Sequence, residues 1–85
     1  MAVTLLYFAW VREAIGIGEE RAHLPDAVES VGDLLGWLAA RGGGYATALA
    51  EPEKLRAAVD QRFVGLDGSV VGASEIALFP PVTGG

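Results

Sequence analysis

Residues 30–44, SVGDLLGWLAARGGG, carry the clearest helical pattern in this 85-residue chain and decide its class of fold. Apolar residues recur at the i, i+3, i+4 and i+7 spacing that places them on one face of a helix. They are Val31, Leu34, Leu35 and Leu38. Ser30 is a favourable N-cap, and Asp33 lies near the positive end of the helix. We expect Arg41 in the last turn, followed by Gly42–Gly44 as a flexible connection to the next strand.

Strand patterns lie on both sides of this helix. Ala2–Ala9 is apolar on both alternating faces, which is typical of a central strand, and Ile17–Leu24 alternates as a more exposed strand pairing back on it. Trp10–Gly16 between them has the period of a short helix with a glycine stop. After the main helix, residues 55–65 predict two short strands joined by a turn, and Glu75–Phe79 predicts a short apolar strand.

One main helix among several short strands must cover one face of a mixed sheet, which predicts an α+β roll. Pairing of the first and last strands at the centre of the sheet would make this a β-grasp arrangement. We expect a single domain over residues 1–85, with residues 80–85 as an extended C-terminal tail.

Composition excludes several kinds of site. Eleven acidic and six basic residues give a net charge of -5, which disfavours nucleic-acid binding. The chain has no cysteine, and its one histidine, His23, cannot form a multi-histidine metal site, so we expect no metal. The longest apolar run is too short to span a bilayer and no signal peptide is visible, so we expect a cytoplasmic protein and no membrane contact.

Glu19 and Glu20 are adjacent carboxylates, the residue type used for general acid–base catalysis. Neighbouring residues of a strand point to opposite faces, so we expect a solvated turn instead of a catalytic pair.

The stretch FPPVTGG, residues 79–85, has the features of a projecting arm. Pro80 and Pro81 end the strand and favour a stiff extended chain, so six residues would reach roughly 18–20 Å. Gly84 and Gly85 lack a Cβ, so a narrow channel can close around their backbone. The terminal carboxylate of Gly85 would be ionised at pH 7 and would need adenylation before a nucleophile could attack it. The alternative is a frayed, inert terminus.

Three stretches carry a resemblance to a known family: LLYFAWVREAIG, LRAAVDQRFV and EIALFPPVTGG. In order and length, the whole chain resembles the small subunit of molybdopterin synthase, the MoaD type, a ubiquitin-like β-grasp sulfur carrier. The last stretch is the most specific. The chain departs from the family pattern in two places: the family often has Asn at the position of Asp60, and Gly-Asp-Glu at residues 73–75, here Ala-Ser-Glu.

The resemblance implies a route for sulfur in molybdenum cofactor biosynthesis. A MoeB-like enzyme would use ATP to adenylate Gly85, and a sulfur-relay protein would convert it to a thiocarboxylate. The tail would enter the large subunit, of MoaE type, and deliver sulfur to cyclic pyranopterin monophosphate to build the dithiolene of molybdopterin. The chain would act as one subunit of a sulfurtransferase, with no permanently bound cofactor. Acid–base and substrate-binding groups would lie on the large subunit, in an assembly of two small and two large subunits.

The resemblance also assigns residues. Gly85 would carry the sulfur, Gly84 would fit the channel, and Phe79 would anchor the interface at the base of the arm. The inserted arm would consist of Pro80, Pro81, Val82 and Thr83. Tyr7 or Phe8 would contribute to an apolar partner patch, the other falling in the core, because alternation sends one to each face.

Three alternative functions stay open at this point. The chain could be a ThiS-like sulfur carrier for thiazole synthesis, although such chains are usually shorter and less often carry the double proline. It could also be a ubiquitin-like modifier joined to lysines through Gly85, or a binding module with an inert tail.

Overall fold

The structure, a computed structural model, describes residues 2–81, within which lie five strands, three α-helices and one short 3-10 helix. The strands are β1 Ala2–Tyr7, β2 Glu19–His23, β3 Arg56–Val59, β4 Arg62–Val64 and β5 Glu75–Phe79. The α-helices are α1 Ala9–Ile15, α2 Val31–Ala39 and α3 Gly43–Ala48, and the 3-10 helix is Pro52–Lys54. None of the helices in the described range is long and apolar enough to cross a membrane.

The strands form one mixed sheet in the order β2-β1-β5-β3-β4. β1 and β5 run parallel to each other, and the other neighbouring pairs are antiparallel. The last strand therefore lies at the centre of the sheet with the first strand beside it. This arrangement confirms the predicted α+β roll and its central pairing of first and last strands.

The sheet has one face covered by α2 and one open face. In β1, Val3, Leu5 and Tyr7 are buried, while the residues between them are half-buried. The register pairs Leu5 with Ile76 and Tyr7 with Leu78, so these buried residues line up across the two central strands. The apolar face of α2 completes this core with the predicted residues Val31, Leu34, Leu35 and Leu38.

The start of α2 is held by a capping box. The Ser30 hydroxyl accepts a hydrogen bond from the Asp33 backbone N–H at 3.1 Å, and the Asp33 carboxylate accepts from the Ser30 N–H at 3.2 Å. These contacts confirm Ser30 as the N-cap. The hydrogen bonds from the backbone N–H groups of Glu29 and Ser30 hold the pKa of Asp33 below its ordinary value. The helix ends at Ala39, so the prediction that Arg41 lies in its last turn is wrong.

The glycine run after α2 differs from the predicted flexible connection. Gly42 and Gly43 have positive φ values of 77° and 54°, and Gly42 is the N-cap of α3, so the run ends one helix and opens another. A Cβ added at Gly44 would overlap the carbonyl group of Ala14, because the backbone of α3 packs directly against α1. This close approach between segments far apart in the sequence requires glycine at position 44, and no local sequence pattern indicates it.

The turn between β3 and β4 contains Asp60, the first place where the chain departs from the family pattern. Asp60 and Gln61 have φ values of 49° and 70°, typical of a two-residue hairpin turn. The Asp60 carboxylate accepts hydrogen bonds from the backbone N–H groups of Ser74 and Glu75, at 2.9 and 3.0 Å. The two departures, at Asp60 and at residues 73–75, therefore meet in one contact that ties the turn to the start of β5.

Candidate functional site

The described part of the tail leaves the sheet at the end of its central strand. β5 ends at Phe79, Pro80 is half-buried and Pro81 is exposed. The four other predicted tail residues, Val82, Thr83, Gly84 and Gly85, lie outside the described residues. The part of the predicted site that can be examined is therefore the base of the arm.

An aromatic pair stands at this base. Phe79 packs edge-to-face against Phe63, with ring centroids 5.8 Å apart and an interplanar angle of 60°. Phe63 is 83% exposed, the highest value among the exposed large apolar side chains of the described chain. It pairs with Ala58, which in turn pairs with Ala77, so strand alternation places all three on the open face with Phe79.

Phe63 was not identified from the sequence as a surface residue of interest, although strand alternation would have indicated its exposure. In the strand Arg62–Val64, alternation sends Val64 towards the core and therefore sends Phe63 to the opposite face. An aromatic side chain at such a position signals exposed apolar surface at the edge of the sheet.

The side chains of Tyr7 and Phe8 lie on opposite faces of the sheet, as strand alternation requires. Phe8 is 48% exposed and follows β1 next to the end of β5, where its N–H donates to the Leu78 carbonyl at 3.2 Å. Tyr7 is only 1% exposed and belongs to the core. The prediction that Tyr7 contributes to a partner patch is therefore wrong, because β1 turns this side chain towards the helices.

A shallow cleft of about 350 Å³ opens beside the aromatic pair. Its lining residues are Arg56, Ala57, Phe63, Val64, Phe79 and Pro81. Arg56 is exposed, and its Nη1 donates to the backbone carbonyls of Leu55 and Glu53 at 2.9 and 3.2 Å. The cleft thus has apolar walls, one arginine and the first residues of the arm at its edge. We call Phe8, Phe63, Phe79 and this cleft the tail-base surface.

A second cluster, which we call the Glu20 network, lies near α3 and was also missed. The Glu20 carboxylate accepts hydrogen bonds from the hydroxyls of Tyr45 and Tyr7, at 2.6 and 2.7 Å. It also pairs with the Arg41 guanidinium at 3.0 Å. Arg41 in turn lies over the rings of Trp37 and Tyr45, 4.7 and 5.0 Å from their centroids. The expectation that Glu20 is solvated is wrong.

Burial and hydrogen bonding act in opposite directions on the pKa of Glu20. Burial alone raises it, but the hydrogen bonds from Tyr45, Tyr7 and Arg41 outweigh burial, so the pKa lies below its ordinary value. Burial and the bond to Glu20 both raise the pKa of Tyr7, which keeps its hydroxyl protonated as a donor. The network is a closed set of internal contacts, and we assign it to the stability of the fold.

No cluster of three or more histidine, cysteine or acidic residues suited to a metal ion occurs between residues 2 and 81. His23 is exposed on β2. What the described residues show at the base of the arm is an exposed aromatic surface.

Comparison with known proteins gives a consistent result over the full chain. Residues 5–85 match the sequence pattern of the ThiS family. The molybdopterin synthase sulfur carrier subunit of Escherichia coli is 41% identical over 85 residues, a match covering 98% of this chain and 99% of that protein. The protein of the same name from Haemophilus influenzae is 39% identical over 83 residues, with the same coverage.

Solved structures agree on the fold. The crystal structure of SAMP1 from Haloferax volcanii superposes with a TM-score of 0.71 at 26% identity, covering 100% of both chains. This likeness, with the central pairing of β1 and β5, shows the ubiquitin-like β-grasp fold. The chain therefore belongs to the ThiS family, together with the molybdopterin synthase sulfur carrier subunits of these two bacteria.

Proposed function

We propose that this protein is the sulfur carrier small subunit of molybdopterin synthase, a cytoplasmic protein that takes part in molybdenum cofactor biosynthesis. The observation that carries the proposal is the end-to-end match, at about 40% identity, to two relatives with that name. The match to the family pattern, over residues 5–85, includes the tail as well as the domain.

In this proposal Gly85 is the C-terminal residue of the working protein and the only group that changes covalently. A MoeB-like enzyme joins its carboxylate to the AMP portion of ATP and releases pyrophosphate. A sulfur-relay protein then supplies sulfur at the oxidation level of sulfide, which forms a bond to the acyl carbon; the acyl–AMP bond breaks, AMP departs, and a thiocarboxylate remains on Gly85. The carboxylate needs this activation because it is negatively charged and has no good leaving group.

The thiocarboxylate then acts inside the large subunit. The arm Pro80–Gly84 passes into that subunit, and the sulfur of Gly85 is transferred to cyclic pyranopterin monophosphate. Two such transfers complete the dithiolene of molybdopterin. The large subunit supplies the acid–base and substrate-binding groups, so the small subunit needs only a stable domain, an arm and a docking surface.

The geometry of the described residues supports this division of labour. The arm begins at the centre of the sheet, where β5 is hydrogen-bonded on both sides, so its base is firmly held. The exposed rings of Phe8, Phe63 and the half-buried Phe79 surround that base. Burying such rings against the large subunit would give an aromatic anchor of the kind that dominates the binding energy of interfaces.

Intact-mass measurement of the protein purified from its own cells tests the proposal. We expect a fraction of the chain to be heavier by the exchange of one oxygen for one sulfur, and to lose that increment when the adenylating enzyme is deleted. A chain with an unmodified terminus under conditions of active cofactor synthesis would contradict the proposal.

A variant extended by a single residue beyond Gly85 provides the control. It keeps the domain and the tail-base surface but moves the reactive carboxylate. We expect it to fold and to bind the large subunit, yet to transfer no sulfur. Sulfur transfer by the extended chain would exclude Gly85 as the carrier.

A thiazole-synthesis carrier is the second candidate, because the family whose pattern matches is named after ThiS. The two candidates differ in the protein that receives the tail. Co-purification with a thiazole synthase, in place of a large molybdopterin synthase subunit, would favour the second.

A further inference from the structure

We propose that Lys54 is an acceptor for the activated carboxyl group of Gly85, so that the tail closes into a ring through an isopeptide bond when sulfur is not supplied. This inference rests on the proposed function, which provides the acyl adenylate of Gly85. It adds a modification site within the chain's own domain, and a product that competes with the thiocarboxylate.

Lys54 is the only lysine of the chain, and the other five basic residues are arginines. An acyl adenylate reacts with amines, and a lysine side chain is a nucleophilic amine once it has lost a proton. The guanidinium group of arginine stays protonated in proteins and is no comparable nucleophile. Among the side chains, Lys54 is therefore the one amine that can capture an activated Gly85 as a stable amide.

Lys54 lies at the end of the sheet from which the arm departs. It is two positions before Arg56, which pairs with Phe79 at the end of β5. Pro81 is two positions after Phe79, and because β3 and β5 are antiparallel, Lys54 and Pro81 lie beyond the same end of the two strands. Arg56 and Pro81 also line one cleft, beside the aromatic pair.

The rest of the tail is long enough to bring Gly85 to this amine. Residues 82–85 can extend over about 13 Å from Pro81, at about 3.3 Å each. Two groups tethered by a linker this short meet at an effective concentration on the order of millimolar, so ring closure should be faster than the joining of two chains.

The side chain of Lys54 is accessible and has a proton acceptor beside it. It is 64% exposed, and its Nζ lies 3.1 Å from one carboxylate oxygen of Glu51 and 3.3 Å from the other. An ion pair this exposed is weak in water, so it does not block the amine. A carboxylate within hydrogen-bond reach of the attacking nitrogen has the geometry of a general base.

The bond changes balance without an oxidant or a reductant. The Lys54 ammonium loses a proton to water, and its nitrogen attacks the acyl carbon of Gly85. The C–N bond forms, the bond from the acyl carbon to the phosphate oxygen breaks, and AMP leaves. Glu51 accepts the second proton from the nitrogen and passes it to water. The product is a ring of residues 54–85, lighter than the open chain by one water molecule.

Sulfur and Lys54 compete for the same acyl carbon. The ring forms once the adenylated tail leaves the activating enzyme, and it has no free carboxylate that could be adenylated again. Closed chains therefore accumulate only where adenylation proceeds without a supply of sulfur.

Incubation of the purified chain with the adenylating enzyme of the same organism and ATP, without a sulfur donor, tests the inference. Pyrophosphate release measures adenylation, intact mass detects the loss of one water, and peptide mapping locates the new bond. Lys54→Arg keeps the charge but removes the amine. The matched control combines Lys54→Arg with Arg21→Lys, which moves the only lysine to β2, two strands away from β5.

We expect the wild-type chain to form the bond between Lys54 and Gly85. Lys54→Arg and the double variant should be adenylated normally but should form about 10-fold less closed product, or still less, because the tethered amine is gone. Adding a sulfur donor to the wild-type mixture should replace the closed product by the thiocarboxylate. Circular dichroism of each variant checks that the domain is folded.

The outcomes separate this inference from the function on which it rests. Pyrophosphate release without the loss of one water would overturn the ring and leave the sulfur-carrier function standing. A bond mapped to another residue, equal closure in the double variant, or a covalent dimer as the main product would also overturn it. A wild-type chain that releases no pyrophosphate with the adenylating enzyme would overturn the proposed function itself.

Discussion

Two edge-to-face aromatic pairs in this domain have similar geometry and opposite surroundings. Tyr7 and Tyr45 lie 6.4 Å apart at 75°, and Phe63 and Phe79 lie 5.8 Å apart at 60°. The first pair is enclosed by the Glu20 network, in which each hydroxyl has an acceptor. The second has one ring 83% exposed. The two pairs therefore differ in their internal partners and in exposure, and not in ring geometry.

The largest expected effect comes from breaking the enclosed pair. Glu20→Ala removes the acceptor of the buried Tyr7 hydroxyl and the ion-pair partner of Arg41. We expect the free energy of unfolding to fall by about 2–4 kcal/mol, because buried donors lose charge-assisted hydrogen bonds. Urea denaturation measures this loss. Glu19→Ala, at the exposed neighbouring position, should change stability by about 0.5 kcal/mol or less, and an equal effect of both variants would contradict the assignment.

Removing the exposed ring of the Phe63–Phe79 pair should reduce partner binding strongly and stability only slightly. Phe63→Ala should reduce affinity for the large subunit by about 2 kcal/mol, or roughly 30-fold, while lowering stability by about 1 kcal/mol or less. Calorimetric titration and urea denaturation measure the two effects. Val71→Ala truncates another exposed apolar side chain, 65% exposed, and should bind normally. A Phe63→Ala variant with full affinity would remove the tail-base surface from the interface.

Lowering the pH should reduce the stability that the Glu20 network contributes around Tyr7 and Tyr45, and should not affect the packing of Phe63 against Phe79. The pKa of Glu20 is lower in the folded state than in the unfolded chain, so its stabilising contribution is full above the unfolded value, near 4.3. That contribution is lost as pH falls through the lower folded pKa. Tyr7, Tyr45 and Arg41, the groups facing it, do not titrate in this range. The stability difference between wild type and Glu20→Gln should shrink from pH 7 towards pH 3, and a constant difference would contradict the network.

The smallest expected effects come from exchanging one hydroxyl at each pair. Tyr45→Phe keeps the ring but removes a hydrogen bond to Glu20, so we expect a loss of about 1 kcal/mol in stability. Phe63→Tyr adds a hydroxyl that reaches water and should leave stability nearly unchanged. Thermal unfolding of both variants measures this difference. Equal effects would mean that the two environments are less distinct than the contacts indicate.

Local pattern predicted most of the fold. The strand Glu75–Phe79, the apolar face of α2 and the Ser30 cap each depend on residues within one element, and each is confirmed. The end of α1 is confirmed for the same reason: Gly16 has a φ of 98° and its N–H donates to the Arg12 carbonyl at 2.8 Å. Periodicity and capping are short-range properties, so one sequence contains them.

The features that the sequence did not predict share a different origin. Glu20 meets Tyr7 and Tyr45, which are 13 and 25 positions away in the sequence, and Gly44 faces Ala14 across two helices. Alternation placed Tyr7 and Phe8 on opposite faces but did not say which face the helices cover. Contacts of this kind depend on how whole elements pack, which no local pattern records. The reactive end of the site, Gly84 and Gly85, stays a prediction.

The parallel pairing of β1 with β5 has a consequence for synthesis of the protein. The strand at the centre of the sheet is also the last described element of the chain, so the pairs β1–β2 and β3–β4 cannot be joined into one sheet until β5 has been synthesised. The first strand can pair with β2 early, but its parallel partner follows some seventy positions later. Because the arm follows β5, it is synthesised only after all the strands that support its base.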